Sequence, residues 1–72
     1  MFQYKLYEMR KQKQLTQQDV ANHIGISVVS YGLKEAGKRQ FKAEEMFSVS
    51  KLFRKPVDDI FVSATSDIIE SK

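Results

Sequence analysis

The 72-residue sequence predicts a single all-α domain. Three observations favour this class. Apolar residues recur at helical spacing, capping residues and glycines divide the chain into short segments, and no segment reads convincingly as a strand. The composition, with 42% apolar and 29% charged residues, is typical of a folded globular protein. We expect five short helices joined by tight connections.

The first helix is indicated by Phe2, Leu6 and Met9. Their i, i+4, i+7 spacing places them on one helical face, with polar residues between them. This pattern predicts a helix that ends near Lys13.

Capping residues delimit the second and third helices. Thr16 and Asp19 have the spacing of a capping box, in which each side chain bonds the other residue's backbone amide. Gly25 is expected to end the second helix, because glycine adopts left-handed backbone angles without steric cost. Ser27 is a second cap candidate, and Gly37 ends the third helix by the same logic. The inward face of the second helix is expected to consist of Val20, Ala21 and Ile24.

Two further helices are predicted after a basic connection at residues 38–42. Pro56 suits the first turn of the fifth helix, whose apolar residues can close the core. Phe47 and Leu52 lie beside the inward stripe of the fourth helix, where they fit either the core or a dimer contact. We expect a domain over residues 1–61 and a flexible or dimer-contacting tail over 62–72. The predicted inward stripe of the fourth helix is Ala43, Met46, Val49, Ser50 and Phe53.

Charge and composition limit the classes of function that this chain can have. Residues 1–42 contain eight Lys/Arg and three Asp/Glu, a net charge of +5, so this half is expected to face an anion. The absence of cysteine and of long apolar runs predicts a cytoplasmic protein without a membrane segment. His23 is the only histidine, and the glycines are too scattered for a phosphate loop. We therefore expect no enzymatic activity, metal, cofactor or small-molecule ligand.

The spacing of Gln17, Ala21 and Gly25 is typical of a helix-turn-helix unit. Two helices that cross steeply need a small side chain at the crossing point and an unstrained turn. The surrounding residues extend this motif, as Leu15-Thr16-Gln17-Gln18-Asp19-Val20-Ala21, Gly25-Ile26-Ser27, Ser30-Tyr31 and Glu35-Ala36-Gly37-Lys38.

Over residues 5–61 the chain resembles the Cro/C1-type (xenobiotic response element) family of bacterial and phage transcriptional regulators. The resemblance implies a five-helix, lambda-repressor-like domain that binds double-stranded DNA, usually as a dimer. It implies that the third helix enters the major groove and that the start of the second helix meets the phosphate backbone. Gln17 would then donate to a phosphate and Gln18 would reach a base edge, or both are simply polar first-turn residues.

The third helix presents a conflict between periodicity and the family register. Simple periodicity buries the face that contains Val28, Val29, Gly32 and Leu33. The resemblance implies the reverse: Tyr31 and the stem of Lys34 point inward, and that apolar face meets the groove. Lys34 departs from the family, which often has a larger apolar or aromatic residue there. We follow the register, which predicts that this face reads thymine methyl groups and shape rather than guanine edges.

Several polar residues around the third helix have two interpretations. Ser27 and Ser30 are the nearest hydroxyls to the groove, or ordinary helix-start and packing residues. Lys38 and Arg39 are expected to contact phosphates, although such charges are often only a solvated face. The resemblance also implies an ion pair between Arg10 and Glu35 that holds the third helix against the first.

These observations predict a sequence-specific transcriptional regulator of phage or mobile-element type, with a palindromic operator and a homodimeric state. We expect it to lie in the bacterial cytoplasm, at the nucleoid when bound, and to have no sensing domain. One alternative is a protein-interaction module that binds an antirepressor-type partner through the third helix. Another is a nonspecific nucleic-acid binder.

Overall fold

Every regular element in residues 1–62, the part of the chain that the computed structural model describes, is an α-helix. No strand occurs in that range, so the predicted all-α class and five-helix order are confirmed. Most of the predicted tail, from residue 63 onward, lies outside the described residues. The helices are α1 (Tyr4–Gln12), α2 (Gln17–Ile24), α3 (Val28–Glu35), α4 (Ala43–Phe53) and α5 (Val57–Ile60).

The ends of α2 and the start of α3 follow the predicted local chemistry. The Thr16 hydroxyl accepts the Asp19 amide, and the Asp19 carboxylate accepts the Thr16 amide, which completes the capping box. Gly25 ends α2 with a φ of 81°, in the left-handed region. The Ser27 hydroxyl caps α3 by accepting the Ser30 amide. These contacts fix both ends of α2 and the start of α3.

The chain before α1 does not continue that helix as predicted. Phe2 precedes the helix and is 48% exposed, so its assignment to the inward face was wrong. The backbone N–H of Gln3 donates to the carbonyl of Glu35, and the Gln3 side-chain oxygen accepts the Val62 amide. These two bonds direct residues 1–3 across the end of α3 instead of along the axis of α1.

The inward stripe of α4 also differs from the prediction. Val49 and Phe53 are buried, but Ala43 is exposed in the first turn. The stripe begins instead with the acidic residue Glu45, which a search for apolar periodicity passes over. Phe47 is 61% exposed and therefore does not belong to the core.

The end of α4 and the start of α5 complete the domain. Leu52 of α4 packs partly against the core, and Pro56 occupies the N-cap position just before α5 rather than its first turn. None of the helices in residues 1–62 is long and apolar enough to cross a membrane.

The core lies where α2 meets α3 and α4, and where α1 and α5 close around them. Phe41 in the basic loop (residues 38–42) belongs to this core, although the sequence suggested only a basic connection. Its ring packs edge-on against Tyr31 and Phe61, with centroids 5.9 Å and 5.0 Å away. Phe41 thereby anchors the basic loop to the domain. The buried apolar residues are Leu6, Val20, Ala21, Tyr31, Phe41, Val49, Phe53, Ile60 and Phe61.

Candidate nucleic-acid interface

The turn between α2 and α3 is built around Ala21. This side chain is fully buried, and its small size allows the two helices to approach. The Ala21 carbonyl accepts the amides of both Gly25 and Ile26, at 2.9 and 3.0 Å. The turn is therefore held by backbone hydrogen bonds as well as by the left-handed conformation of Gly25.

The orientation of α3 agrees with the family register and not with simple periodicity. Tyr31, Lys34 and Glu35 are buried, whereas Val29 is 71% exposed and Leu33 is 36% exposed. Hydrophobicity alone would predict the opposite arrangement, with Val29 and Leu33 buried and Lys34 and Glu35 exposed. The inward polar groups are tolerated because each has a hydrogen-bond partner, and no buried side-chain nitrogen or oxygen in residues 1–62 is unsatisfied.

The predicted pair between Arg10 and Glu35 is confirmed and belongs to a larger network. Arg10 donates to both oxygens of Glu35, from Nε at 2.8 Å and from Nη2 at 3.1 Å. The Tyr31 hydroxyl donates to Glu35 Oε2 at 2.7 Å, and Gln17 Nε2 donates to Oε1 at 3.0 Å. Arg10 also donates to the Leu15 carbonyl. One carboxylate thus joins α1, α2 and α3.

This network changes the ionisation of its members. Burial disfavours the charged form of Glu35, but the hydrogen bonds from Arg10, Tyr31 and Gln17 outweigh it and hold the pKa of Glu35 below its ordinary value. Burial and the contact with Glu35 raise the pKa of Tyr31. The hydrogen bond to Glu35 raises the pKa of Arg10. Each group therefore keeps the protonation state that the network requires at neutral pH.

A second buried ion pair, which is not predicted by the sequence pattern, joins α3 to α4. Lys34 Nζ lies 2.6 Å from Glu45 Oε1, with both side chains more than nine-tenths buried. The same oxygen accepts the Lys42 amide at 2.9 Å. Burial disfavours the charged form of Glu45. The hydrogen bonds from the Lys34 side chain and the Lys42 amide outweigh this effect and lower the pKa of Glu45. The available signal was that a lysine directed inward needs an acidic partner, and Glu45 stands in the first turn of α4.

The two glutamines at the start of α2 already donate hydrogen bonds within the domain. Gln17 is half-buried and donates to Glu35, and it lies against Gly32 of α3. Gln18 is exposed and donates to the side chain of Asn22 at 2.8 Å. Their contacts with DNA remain predictions.

The remaining predicted site residues of α3 do not all share one surface. Ser27 is exposed but is used as the helix cap, and Ser30 is half-buried beside the basic loop. Val28 is half-buried and packs against the core, which differs from the expectation that it faces outward with Val29. The outward face of α3 therefore consists of Val29 and Leu33, together with the C-cap residue Ala36 directly after the helix, all of them exposed.

Lys38 and Arg39 lie directly beside the end of α3. The backbone amides of both residues donate to the Leu33 carbonyl, at 2.9 and 3.3 Å, and both side chains are exposed. Arg39 and Lys42 also border a shallow cleft that reaches Ser30. The outward face of α3 thus has a cationic margin along the basic loop.

No grouping in residues 1–62 brings three potential metal-ligating side chains together. His23 is exposed near the end of α2.

Comparison with known proteins identifies a family and a relative. A family model described as helix-turn-helix matches residues 6–60. The cryptic phage CTXphi transcriptional repressor RstR of Vibrio cholerae is 29% identical to this chain over 70 residues. That alignment covers 97% of this chain and 63% of RstR, so the chain spans only part of the length of this relative.

Proposed function

Because the chain belongs to the helix-turn-helix family, in its Cro/C1-type branch, we propose that it is a sequence-specific DNA-binding transcriptional regulator. The observation that carries this proposal is the arrangement around α3. Its outward residues Val29 and Leu33 are exposed, the cations Lys38 and Arg39 lie beside the end of the same helix, and the opposite face is fixed by buried ion pairs. A phage or mobile-element repressor is the favoured type, since the relative RstR is a phage repressor.

In the proposed complex, α3 lies in the major groove, which is about 12 Å wide and admits one helix. Lys38 and Arg39 neutralise phosphates beside the end of α3. The backbone amides at the start of α2, near Gln17 and Gln18, face a second stretch of phosphates. Ser27 and Gly32 lie at the margin of the groove, where glycine permits close approach of the helix backbone.

We propose a homodimer on a palindromic operator, because one short helix contacts too few bases for high specificity. Two copies would place their α3 helices in successive major grooves, about 34 Å apart. Phe47, which is 61% exposed, is a candidate dimer contact in residues 1–62, and the half-buried Leu52 of the same helix is a second one. Such a protein would act in the bacterial cytoplasm and lie at the nucleoid when bound.

The alternative function is binding of a protein partner through the apolar face of α3. The cationic margin favours DNA, because a polyanion benefits from Lys38, Arg39 and Lys42, whereas an apolar partner does not. Selection of bound sites from random DNA distinguishes the two. A two-fold-symmetric consensus supports the proposal, and failure to enrich any sequence contradicts it.

A charge-matched pair of variants tests the phosphate contacts. Lys38→Ala with Arg39→Ala should weaken binding to the selected site and to unrelated DNA alike. The slope of log affinity against log salt should flatten by about 0.9 for each phosphate that the variant no longer neutralises. Lys51→Ala with Lys55→Ala removes the same charge from exposed positions at the end of α4 and beyond, and should leave the slope nearly unchanged. Equal effects of the two pairs would contradict the predicted margin.

A further inference from the structure

The outward face of α3 is aliphatic. Its exposed residues are Val29, Leu33 and Ala36. The polar side chains Lys34 and Glu35 of the same helix are buried in ion pairs. α3 therefore has no hydrogen-bonding side chain at the centre of its exposed surface.

The nearest polar side chains of α2 do not compensate for this. Gln17 Nε2 already donates to Glu35, and Gln18 Nε2 already donates to Asn22. Each bond occupies one N–H of its amide and restrains the orientation of the side chain, which leaves fewer groups free to reach a base edge. Ser30 is half-buried to one side of the outward face, next to Arg39.

The chemistry of the major groove then limits what this face can recognise. Guanine and adenine are distinguished there by acceptor and donor groups, and cytosine by an amino group. Thymine alone presents an apolar group, its C5-methyl. An aliphatic surface beside phosphate-binding cations fits a duplex in which thymine methyl groups lie opposite it.

We infer that Val29 and Leu33 form a thymine-reading pair that contacts the C5-methyl groups of thymine in each half-site. This inference rests on the proposed function and names the base that the site recognises. Val29 contributes most, because it is the more exposed of the two. Recognition at these positions depends on the methyl group and not on the hydrogen-bonding edge.

The test uses the full chain and the DNA site obtained by selection. Each thymine is replaced singly by deoxyuridine, which removes the C5-methyl and leaves every hydrogen-bonding group in place. At one or two thymines of each half-site the Kd should rise about fourfold, the effect of removing one buried methyl group. Replacing the same T·A base pair by C·G should weaken binding further, and 5-methylcytosine in that C·G pair should recover part of the loss.

A protein variant assigns the effect to its residue. Val29→Ala should discriminate less between the thymine and deoxyuridine duplexes at the position that Val29 reads, because its shorter side chain buries less of the methyl group. Its circular dichroism spectrum should be unchanged because the residue is exposed. Val29→Ala that retains the full discrimination contradicts the assignment. Sequence-specific binding that is insensitive to deoxyuridine at every position overturns the inference but leaves the proposed function intact. Absence of any sequence-specific binding overturns the proposed function itself.

Discussion

Glu35 is the residue on which the placement of α3 depends most. Its two oxygens accept hydrogen bonds from Arg10, Tyr31 and Gln17, which lie on three different helices. A buried carboxylate without these donors would be costly, because burial disfavours its charge. Removal of any one donor should therefore destabilise the whole domain rather than one contact.

Tyr31→Phe should lower the free energy of unfolding by about 1.5–3 kcal/mol, the usual contribution of a hydrogen bond to a charged group. The ring remains in the core, so the missing hydroxyl accounts for the change. Tyr4→Phe is the matched control, since Tyr4 is 50% exposed and should tolerate the same change within about 0.5 kcal/mol. Urea denaturation followed by circular dichroism measures both. Equal stability of the two variants would argue against the network.

The domain should also lose stability in mild acid. Glu35 and Glu45 have lowered pKa values in the folded state, so they bind protons more weakly there than in the unfolded chain. The stability that they contribute is complete above the ordinary glutamate pKa and is lost as the pH falls through the lowered value. The free energy of unfolding should fall between about pH 5 and pH 3. Glu45→Gln should make this fall shallower, whereas a curve parallel to that of the unsubstituted protein would contradict the assignment.

At the scale of elements, local chemistry predicted the helix ends better than the helix faces. Thr16, Gly25 and Ser27 act on adjacent backbone, so their roles can be read from the sequence alone. The face of α3 depends on distant partners. Lys34 is inside because Glu45 is there to neutralise it, and hydrophobic periodicity contains no information about that pair.

The distinction between local and distant contacts also explains where the predicted positions of other residues differ from the structure. Phe41 lies in a basic loop with no periodic pattern, so only the folded structure places it in the core. The exposure of Val29 and Leu33 followed from the family register, whereas the half-buried position of Val28 did not. Contacts with DNA depend on a partner that is separate from the chain, and they therefore remain proposals.

Two glycine substitutions should have opposite effects on stability. Gly32→Ala should raise the free energy of unfolding by roughly 0.5–1 kcal/mol, because alanine is the better helix former. The added Cβ would lie 3.4 Å from the end of the Gln17 side chain, an ordinary contact. Gly25→Ala should lower the free energy of unfolding by about 1–2 kcal/mol, because φ at this residue is +81°. The cost comes from the backbone conformation alone, since the space around Gly25 is open.

A DNA-binding measurement distinguishes the proposed role of Gly32 at the groove from its effect on stability. If Gly32 lies where the α3 backbone approaches the groove, Gly32→Ala should be more stable and yet bind the selected site more weakly. Thermal denaturation and a fluorescence anisotropy titration measure the two quantities on one sample. A variant that gains both stability and affinity would show that the closest approach lies elsewhere.

At the scale of the whole molecule, two ion pairs and one aromatic cluster in residues 1–62 connect segments that are distant in sequence. Arg10–Glu35 joins α1 to α3, Lys34–Glu45 joins α3 to α4, and Phe41 links the basic loop to the chain after α5. A domain of about 60 residues has little apolar core to spare. Buried charge is tolerated in this domain because each charged group is paired. Removing one partner of a pair should therefore lower the free energy of unfolding strongly.

Lys34→Met alone should cost roughly 3 kcal/mol, because it leaves Glu45 buried without its cation. Lys34→Met combined with Glu45→Gln should recover most of this stability. The amide oxygen can still accept the Lys42 N–H, and no charge stays buried. A double-mutant cycle of urea denaturation curves gives the coupling energy. Strict additivity of the two substitutions would show that the pair does not act as a unit.

The division of α3 into two faces affects how such a protein can diversify. The residues that hold the fold, Tyr31, Lys34 and Glu35, are distinct from the exposed residues Val29, Leu33 and Ala36. Mutational drift at the exposed positions therefore meets almost no selection for foldability. A library randomised at these three codons should yield mostly folded proteins with altered target preferences. New regulatory circuits could evolve on this scaffold through a handful of nucleotide changes.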